Sequence, residues 1–359
     1  MTRPARALID AQALRHNLDR VRQAAPQSKI MAVLKANGYG HGLISVARVL
    51  LEAHAFAVAS FDEALTLRNA GVAHPTCLLE GFFDDAELGA LNHYRFATVV
   101  HHESQLRRLE RAAQPYPFDV WLKIDTGMHR IGFSPERVQA VLERLRQCRC
   151  VGRIRLMSHL ANADDANDST TTEQIARFTK LAKDSDMERS LANSAGILAW
   201  PGSHLDWVRP GIMLYGVSPL LDRTAEDLEL QPAMTLTSQL IAVNRQRKGE
   251  RVGYGGEWTC PEDMLVGVVA MGYGDGYPRH APGQTPVLIN GKRVPLIGRV
   301  SMDMITVDLR NQPDAKAGDP VVLWGKGLSV EEVAKRAGTI GYELLARMPA
   351  RVPRVEVNA

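Results

Sequence analysis

The chain has 359 residues, with 43 Lys and Arg against 40 Asp and Glu, and 45% hydrophobic and 23% charged positions. That length exceeds what one ordinary core supports and predicts about two domains; the composition excludes wholesale disorder, and the near balance of charge does not mark a nucleic-acid binder. No apolar run approaches the roughly 18 residues a membrane helix needs. The nearest, 44–60, is broken by Arg48, Glu52 and His54, and MTRPARALID has no apolar core of the kind a signal peptide carries. Cys77, Cys148, Cys150 and Cys260 lack zinc-type spacing and read as reduced thiols of a cytoplasmic protein.

A short strand is expected over 5–9, then Asp10 as N-cap of a helix carrying Leu14, Leu18, Val21 and Ala25 on one face. Strand-like runs follow at 30–35, 55–60, 76–79, 96–100, 118–124, 153–158, 189–192 and 206–209. Helical stretches alternate with them. Gly71 closes one as a C′ residue, Ser134-Pro135 opens another, and Thr170-x-x-Glu173 reads as a capping box. Eight β/α steps in roughly 210 residues predict a TIM-type (β/α)8 barrel over 11–228. A doubly wound open sheet is the rival, but no G-x-G-x-x-G follows the first strand.

Beyond about residue 230 the pattern becomes mainly β. Strands are expected at 235–243, 251–254, 264–271, 286–290, 293–309 and 320–324, with one late helix over 330–337. Asn290-Gly291 between apolar runs is the strongest hairpin signal in the chain. These residues, 229–359, form a C-terminal mainly β domain that the first strand, within 1–10, is expected to join.

In a barrel of this kind reactive residues gather at the C-terminal ends of strands. That rule selects Lys35, the 123–130 stretch, His159, Asn193-Ser194 and 209–212. A lysine desolvated at the rim would have a lowered pKa and act as a nucleophilic amine, although a solvated rim lysine is the commoner case for any single Lys. Gly38, Gly40 and Gly42 around Tyr39 permit close approach to a ligand. The Asn193-Ser194 and Pro210-Gly211 loops, after the last two strands, suit a phosphate dianion as well as they suit plain turns. An amine and a phosphate cradle on one rim point to pyridoxal 5′-phosphate. Asp164, Asp165 and Asp168 miss the EF-hand spacing, and no metal is implied.

Seven blocks in order then resemble the bacterial alanine racemases: VLKANGYGHG at 33–42, WLKIDTGMHRIGF at 121–133, MSHLANAD at 157–164, DWVRPGIMLYG at 206–216, RVGYGG at 251–256, MGYGDGYPR at 271–279 and GRVSMDM at 298–304. The resemblance implies a pyridoxal-phosphate enzyme of fold type III that interconverts L- and D-alanine, supplying D-alanine for peptidoglycan. It implies that Lys35 holds the cofactor covalently and serves one face of the substrate, with Tyr254 serving the other. His159 and Arg209 resemble the relay to that phenol, and Arg209 the partner of the cofactor ring nitrogen. Tyr39, Ser194, Gly211 and Ile212 match phosphate-contacting positions. Arg130 and the Met302 backbone match the substrate-carboxylate site, Tyr273 and Asp303 the inner entrance, and Lys123 a lysine commonly carbamylated. Many members place a tyrosine where Ala350 stands, so that phosphate contact is absent here. The resemblance also implies a homodimer in which Tyr254 crosses to the partner's site. A broader racemase acting on Ser, Lys or Arg is the nearest rival. A fold-type III decarboxylase and a non-catalytic cofactor carrier are more distant, since carriers end with the barrel.

Overall fold

In the computed structural model, residues 3–181 and 186–358 are described. Eight parallel strands close into a barrel: β2 (Lys29–Val33), β3 (Ala55–Val58), β4 (Thr76–Leu78), β5 (Ala97–Val100), β6 (Phe118–Lys123), β7 (Val151–Met157), β8 (Arg189–Ser190) and β9 (Trp207–Val208). β9 pairs back to β2 through Lys29↔Trp207 and Ile30↔Val208, which completes the ring. Helices cover the outside, burying faces such as Leu14, Leu18 and Val21 of the Ala11–Ala24 helix, whose first turn Asp10 caps by accepting from Ala13 N at 3.0 Å. The barrel interior is filled by Met31, Val33, Ala57, Cys77, Trp121 and Trp207, so it is a packed core with chemistry only at its ends.

The remaining strands are β1 (Arg6–Asp10), β10 (Met234–Gln246), β11 (Arg251–Val252), β12 (Trp258–Thr259), β13 (Met264–Val269), β14 (Pro286–Ile289), β15 (Lys292–Ile297), β16 (Ile305–Asp308), β17 (Pro320–Trp324) and β18 (Arg354–Val357). β10 is 13 residues long and pairs β17 through its first half and β13 through its second, so the order β13-β16-β15-β14-β17-β10 returns on itself. β1 lies between β10 and β18, antiparallel to one and parallel to the other. Asn290 and Gly291 both have positive φ, 49° and 76°, the geometry a two-residue I′ hairpin between β14 and β15 requires.

Four expectations are corrected. The single run expected at 293–309 is two strands, because residues 298–304 leave the sheet beginning at Gly298 with φ 66°. Tyr254 opens a 3-10 turn after β11 instead of ending a strand, between Gly253 and Gly255, both at positive φ. The helix near 170 starts one residue earlier than the capping box implied: Thr170 is already helical, its N–H bonded to Asp168 Oδ1, and Glu173 N reaches Ser169 O. A second late helix, Gly341–Ala346, follows Val330–Arg336; six residues are too few for a periodic signal.

Candidate active site at the barrel mouth

Lys35 stands two residues beyond β2, whereas the sequence placed it at the strand end. Leu34 N still bonds Ala57 O at 2.8 Å, and then Ala36, Asn37, Gly38, Tyr39 and Gly40 all take φ between 49° and 79°. A left-handed turn costs about 1–2 kcal/mol for each residue bearing a Cβ, so packing must hold it. Gly38 N bonds Leu34 O at 2.7 Å and Leu43 N bonds Asn37 Oδ1 at 2.9 Å. A Cβ on Gly40 would lie 1.9 Å from Leu345 O, so the Gly341–Ala346 helix sits directly on the turn. Arg354, on β18, ties the two together by donating to Gly40 O and Met348 O, each at 2.8 Å.

The turn leaves the Lys35 amine in a cationic, half-desolvated setting. Burial lowers its pKa, and the nearby Arg130 lowers it further. Lys123, at the end of β6, is 7% exposed and pairs with no carboxylate among the described residues. Burial, Arg209 and Arg130 push its pKa well below the usual lysine value, Asp125 opposing weakly. Arg209 is 4% exposed; its Nη1 donates to Ser190 Oγ and its Nη2 to Ser158 O, both at 2.5 Å. Its partners are neutral oxygens, and burial draws its pKa down to about 10. His159 follows β7; burial and then Lys123 and Arg209 hold its pKa far below the usual histidine value, so the ring is neutral at pH 7. Lys123, Asp125, Arg130, Ser158 and His159 line one small cleft. Asp125 shapes the loop that presents Arg130, accepting from Gly127 N and His129 N at 3.0 Å each.

A second group gathers beside this one. Ser194 Oγ accepts from Gly211 N at 2.9 Å, which leaves its O–H free to donate outward. Ile212 N–H has no hydrogen bond among the described residues. A Cβ on Gly211 would lie 2.5 Å from the Tyr39 hydroxyl, so the glycine is what lets that phenol reach the loop. Tyr39 stacks on Tyr215 with ring centroids 4.6 Å apart, and Tyr215 OH is fixed by donating to Val33 O at 3.0 Å. Hydroxyls and a free amide beside four basic side chains, none in ion-pair contact with a carboxylate among the described residues, fit a phosphate dianion and a second anionic group.

The structure therefore brings together Lys35, Lys123, Arg130, His159 and Arg209, and beside them Tyr39, Ser194, Gly211 and Ile212. It does not bring Tyr254, Tyr273, Met302 and Asp303 to the same mouth. Tyr254 is 69% exposed, Met302 53% and Tyr273 40%, and among the described residues no hydrogen bond or ring contact ties Tyr254 to the barrel. Ala350 offers no phenol; Tyr342, the second residue of the helix on the Lys35 turn, instead lies with its ring 6.4 Å from that of Tyr39.

Full-length comparison decides the family. A family model for the alanine racemase N-terminal domain matches residues 9–219, and one for the C-terminal domain matches 233–356. The chain belongs to the alanine racemase family. It is 55% identical to an alanine racemase of Vibrio cholerae over 97% of each chain. It superposes on the biosynthetic alanine racemase of Pseudomonas aeruginosa with a TM-score of 0.96 at 46% identity, covering 99% of this chain and 100% of that one. An alanine racemase structure from Bartonella henselae with covalently bound pyridoxal phosphate aligns at TM-score 0.89 and 29% identity over 99% of each chain.

Several residues of this alanine racemase fold escaped the sequence reading. His41 is fully buried and its pKa is taken down to about 4 by burial; its Nδ1–H donates to Tyr39 O at 2.8 Å, bracing the Lys35 turn. Ser158 bridges Thr126 Oγ1, at 2.7 Å, and the Arg209 guanidinium through its carbonyl. Only the His inside the Gly40-His41-Gly42 run offered a visible signal, as a polar residue between glycines.

Proposed function

We propose that this chain interconverts L- and D-alanine with pyridoxal 5′-phosphate at the barrel mouth, within units spanning 11–228 and 1–10 with 229–359. The observation that carries the reading is the Lys35 amine, its pKa lowered by burial, beside Lys123, Arg130 and Arg209, with no carboxylate in ion-pair contact with any of the four among the described residues. Tyr39, Ser194, Gly211 and Ile212 would hold the cofactor phosphate, and Arg209 its ring nitrogen. When bound, the cofactor draws electron density from the amino acid and acidifies its α-proton. Arginine keeps its proton in proteins, so Arg209 acts only as a donor.

Racemisation needs one acid–base group on each face of the α-carbon. Lys35, its pKa lowered by burial and by Arg130, takes or returns the proton at Nζ on one face. Tyr254 does so through its phenol oxygen on the other, and its exposure on the β unit supports its delivery to the site of a second copy in a homodimer. His159 and Arg209 orient that phenol and stabilise its charge. The Arg130 guanidinium binds the substrate carboxylate, joined by the Met302 N–H of the β unit that a second copy brings with Tyr254; that N–H has no hydrogen bond among the described residues. Tyr273 and Asp303 line the entrance. Carbamylation of Lys123 would turn a buried cation into an anion able to orient Arg130. The cellular role is D-alanine supply for peptidoglycan in the cytoplasm; among the described residues no helix is long and apolar enough to cross a membrane.

The test is chiral analysis of L-alanine incubated with the protein in deuterated water, with L-serine, L-lysine and L-arginine in parallel. Deuterated D-alanine forming fastest is the expected result. Equal turnover of a longer amino acid would broaden the substrate class, and no exchange with cofactor bound would overturn the two-base assignment.

A further inference from the structure

Away from the barrel mouth, Asp275 is a buried carboxylate that the mechanism does not use. Its side chain is 1% exposed, and it lies in the 3-10 turn that presents Tyr273. Oδ2 accepts from Gly272 N at 2.9 Å and from Arg3 Nη2 at 2.6 Å, while Arg351 Nε approaches Oδ1 to 3.1 Å. Both arginines then reach the neighbouring loop. Arg3 Nη2 donates to Asp303 O at 2.9 Å, and Arg351 Nη2 to Asp303 Oδ1 at 2.8 Å. Two backbone bonds run between the same segments, Tyr273 N to Ser301 O at 3.0 Å and Gly274 N to Met302 O at 2.8 Å. A Cβ on Gly274 would lie 2.6 Å from Arg351 Nη1 and 3.0 Å from Met302 O, so the glycine gives that guanidinium room against the turn.

We propose that Arg3 and Arg351 are positioning residues of the substrate entrance: through the buried Asp275 carboxylate they lock the Tyr273 turn to the 301–303 loop. The inference rests on the reading of Tyr273, Met302 and Asp303 as substrate-facing. A buried carboxylate must be paired, and here its two cationic partners come from sequence-distant segments, residue 3 before β1 and residue 351 before β18. Each partner also donates to Asp303, Arg3 through the same Nη2 and Arg351 through Nη2. The network therefore fixes Asp303 and the free Met302 N–H relative to Tyr273, and it touches neither Lys35 nor the phosphate cradle. Its loss loosens substrate capture and leaves the acid–base pair in place, so it alters KM more than kcat.

The experiment compares the holoenzyme with Arg3→Ala, Arg3→Lys and Arg351→Ala, reading KM and kcat for alanine together with cofactor absorbance. Arg3→Ala and Arg351→Ala are expected to raise KM about tenfold, ~1.4 kcal/mol, with kcat within about twofold and cofactor content unchanged. Arg3→Lys, which keeps the charge but offers a single head group, is expected to recover part of the KM loss. Unchanged KM in both alanine variants overturns the proposal. So does a fall in kcat or in cofactor content matching the KM change, or loss of folded protein in all three variants, since either makes the arginines general stabilisers. If the parent enzyme turns over serine or lysine in preference to alanine, the substrate reading fails instead, and the same KM comparison on that amino acid still decides the role of the arginines.

Discussion

At the N-terminal end of the barrel Arg155 is buried between carboxylates, whereas at the C-terminal end Lys35, Lys123, Arg130 and Arg209 converge with no carboxylate in ion-pair contact among the described residues. Arg155 Nε meets Glu188 Oε2 at 2.6 Å and its Nη1 meets Asp119 Oδ2 at 3.1 Å, with the guanidinium 5.3 Å from the Trp121 ring centroid. Lys35, Lys123, Arg130 and Arg209 have no such counter-charges, and burial lowers the pKa of Lys35, Lys123 and Arg209. Burying a charge without a paired carboxylate costs several kcal/mol, and Lys123 and Arg209 are buried that way, so this end is built to receive the negative charge of a ligand. The contrast assigns structure to one end and chemistry to the other.

The largest expected effect tests the chemical end directly. Lys35→Ala removes the amine and should reduce alanine turnover by at least about 10³-fold, with loss of the absorbance of covalently held cofactor. Retained covalent cofactor would locate the reactive amine elsewhere, Lys123 being the nearest buried alternative.

Next comes the group missing from the mouth. Tyr254→Phe should cost about 10²- to 10⁴-fold in turnover while leaving the cofactor spectrum intact. Mixing refolded Lys35→Ala and Tyr254→Phe subunits sharpens the point. If each site combines Lys35 of one copy with Tyr254 of the other, mixed dimers contain one intact site, and about a quarter of parental activity returns at equal ratios. No recovery from a demonstrably mixed dimer would place both groups in one chain.

Much of this arrangement was legible in the sequence for a physical reason. Most barrel strands are short, apolar and buried on both faces, as in Ala55–Val58 and Thr76–Leu78, so they appear as runs, and the rim rule then selects the residues that follow them. The glycines of Gly38-Tyr39-Gly40 announced unusual backbone, but not that Ala36, Asn37 and Tyr39 would share it; that depends on Leu345 and Arg354, more than 300 positions away. The Arg155 pairing was illegible because Asp119, Arg155 and Glu188 come from three successive strand segments, and only the parallel pairing of β6, β7 and β8 brings them together. Tyr254 illustrates the remaining limit: its motif was clear, while its exposed position is set by two positive-φ glycines and by the face the β unit turns outward.

A milder change probes the phosphate cradle. In Gly211→Ala the added methyl would sit 2.5 Å from the Tyr39 hydroxyl, which cannot swing freely because its ring is stacked on Tyr215. Displacing that hydroxyl should weaken cofactor binding about tenfold, ~1.4 kcal/mol, with little change in melting temperature of the cofactor-free protein. Equal affinity for parent and variant would remove Tyr39 from the cradle.

The smallest functional effect, and the cleanest check of the structural end, lies at Glu188. Burial raises its pKa, but hydrogen bonds from Arg155 and Lys29 outweigh that and bring it down to about 2. A carboxylate whose folded pKa lies below its unfolded value of about 4.5 stabilises the fold above that pH, and the contribution is lost as pH falls toward 2. Glu188→Gln should therefore cost about 3 kcal/mol at pH 7. The gap between parent and variant in denaturant midpoints should close progressively as pH falls from about 4.5 toward about 2, as protonated Glu188 comes to resemble Gln. Turnover per folded, cofactor-loaded site should be unchanged, because Arg155 meets the chemical end only across the packed Cys77 layer. A gap independent of pH would mean that the Arg155 pairing contributes through packing and not through charge, and the contrast between the two ends of the barrel would then rest on the mouth alone.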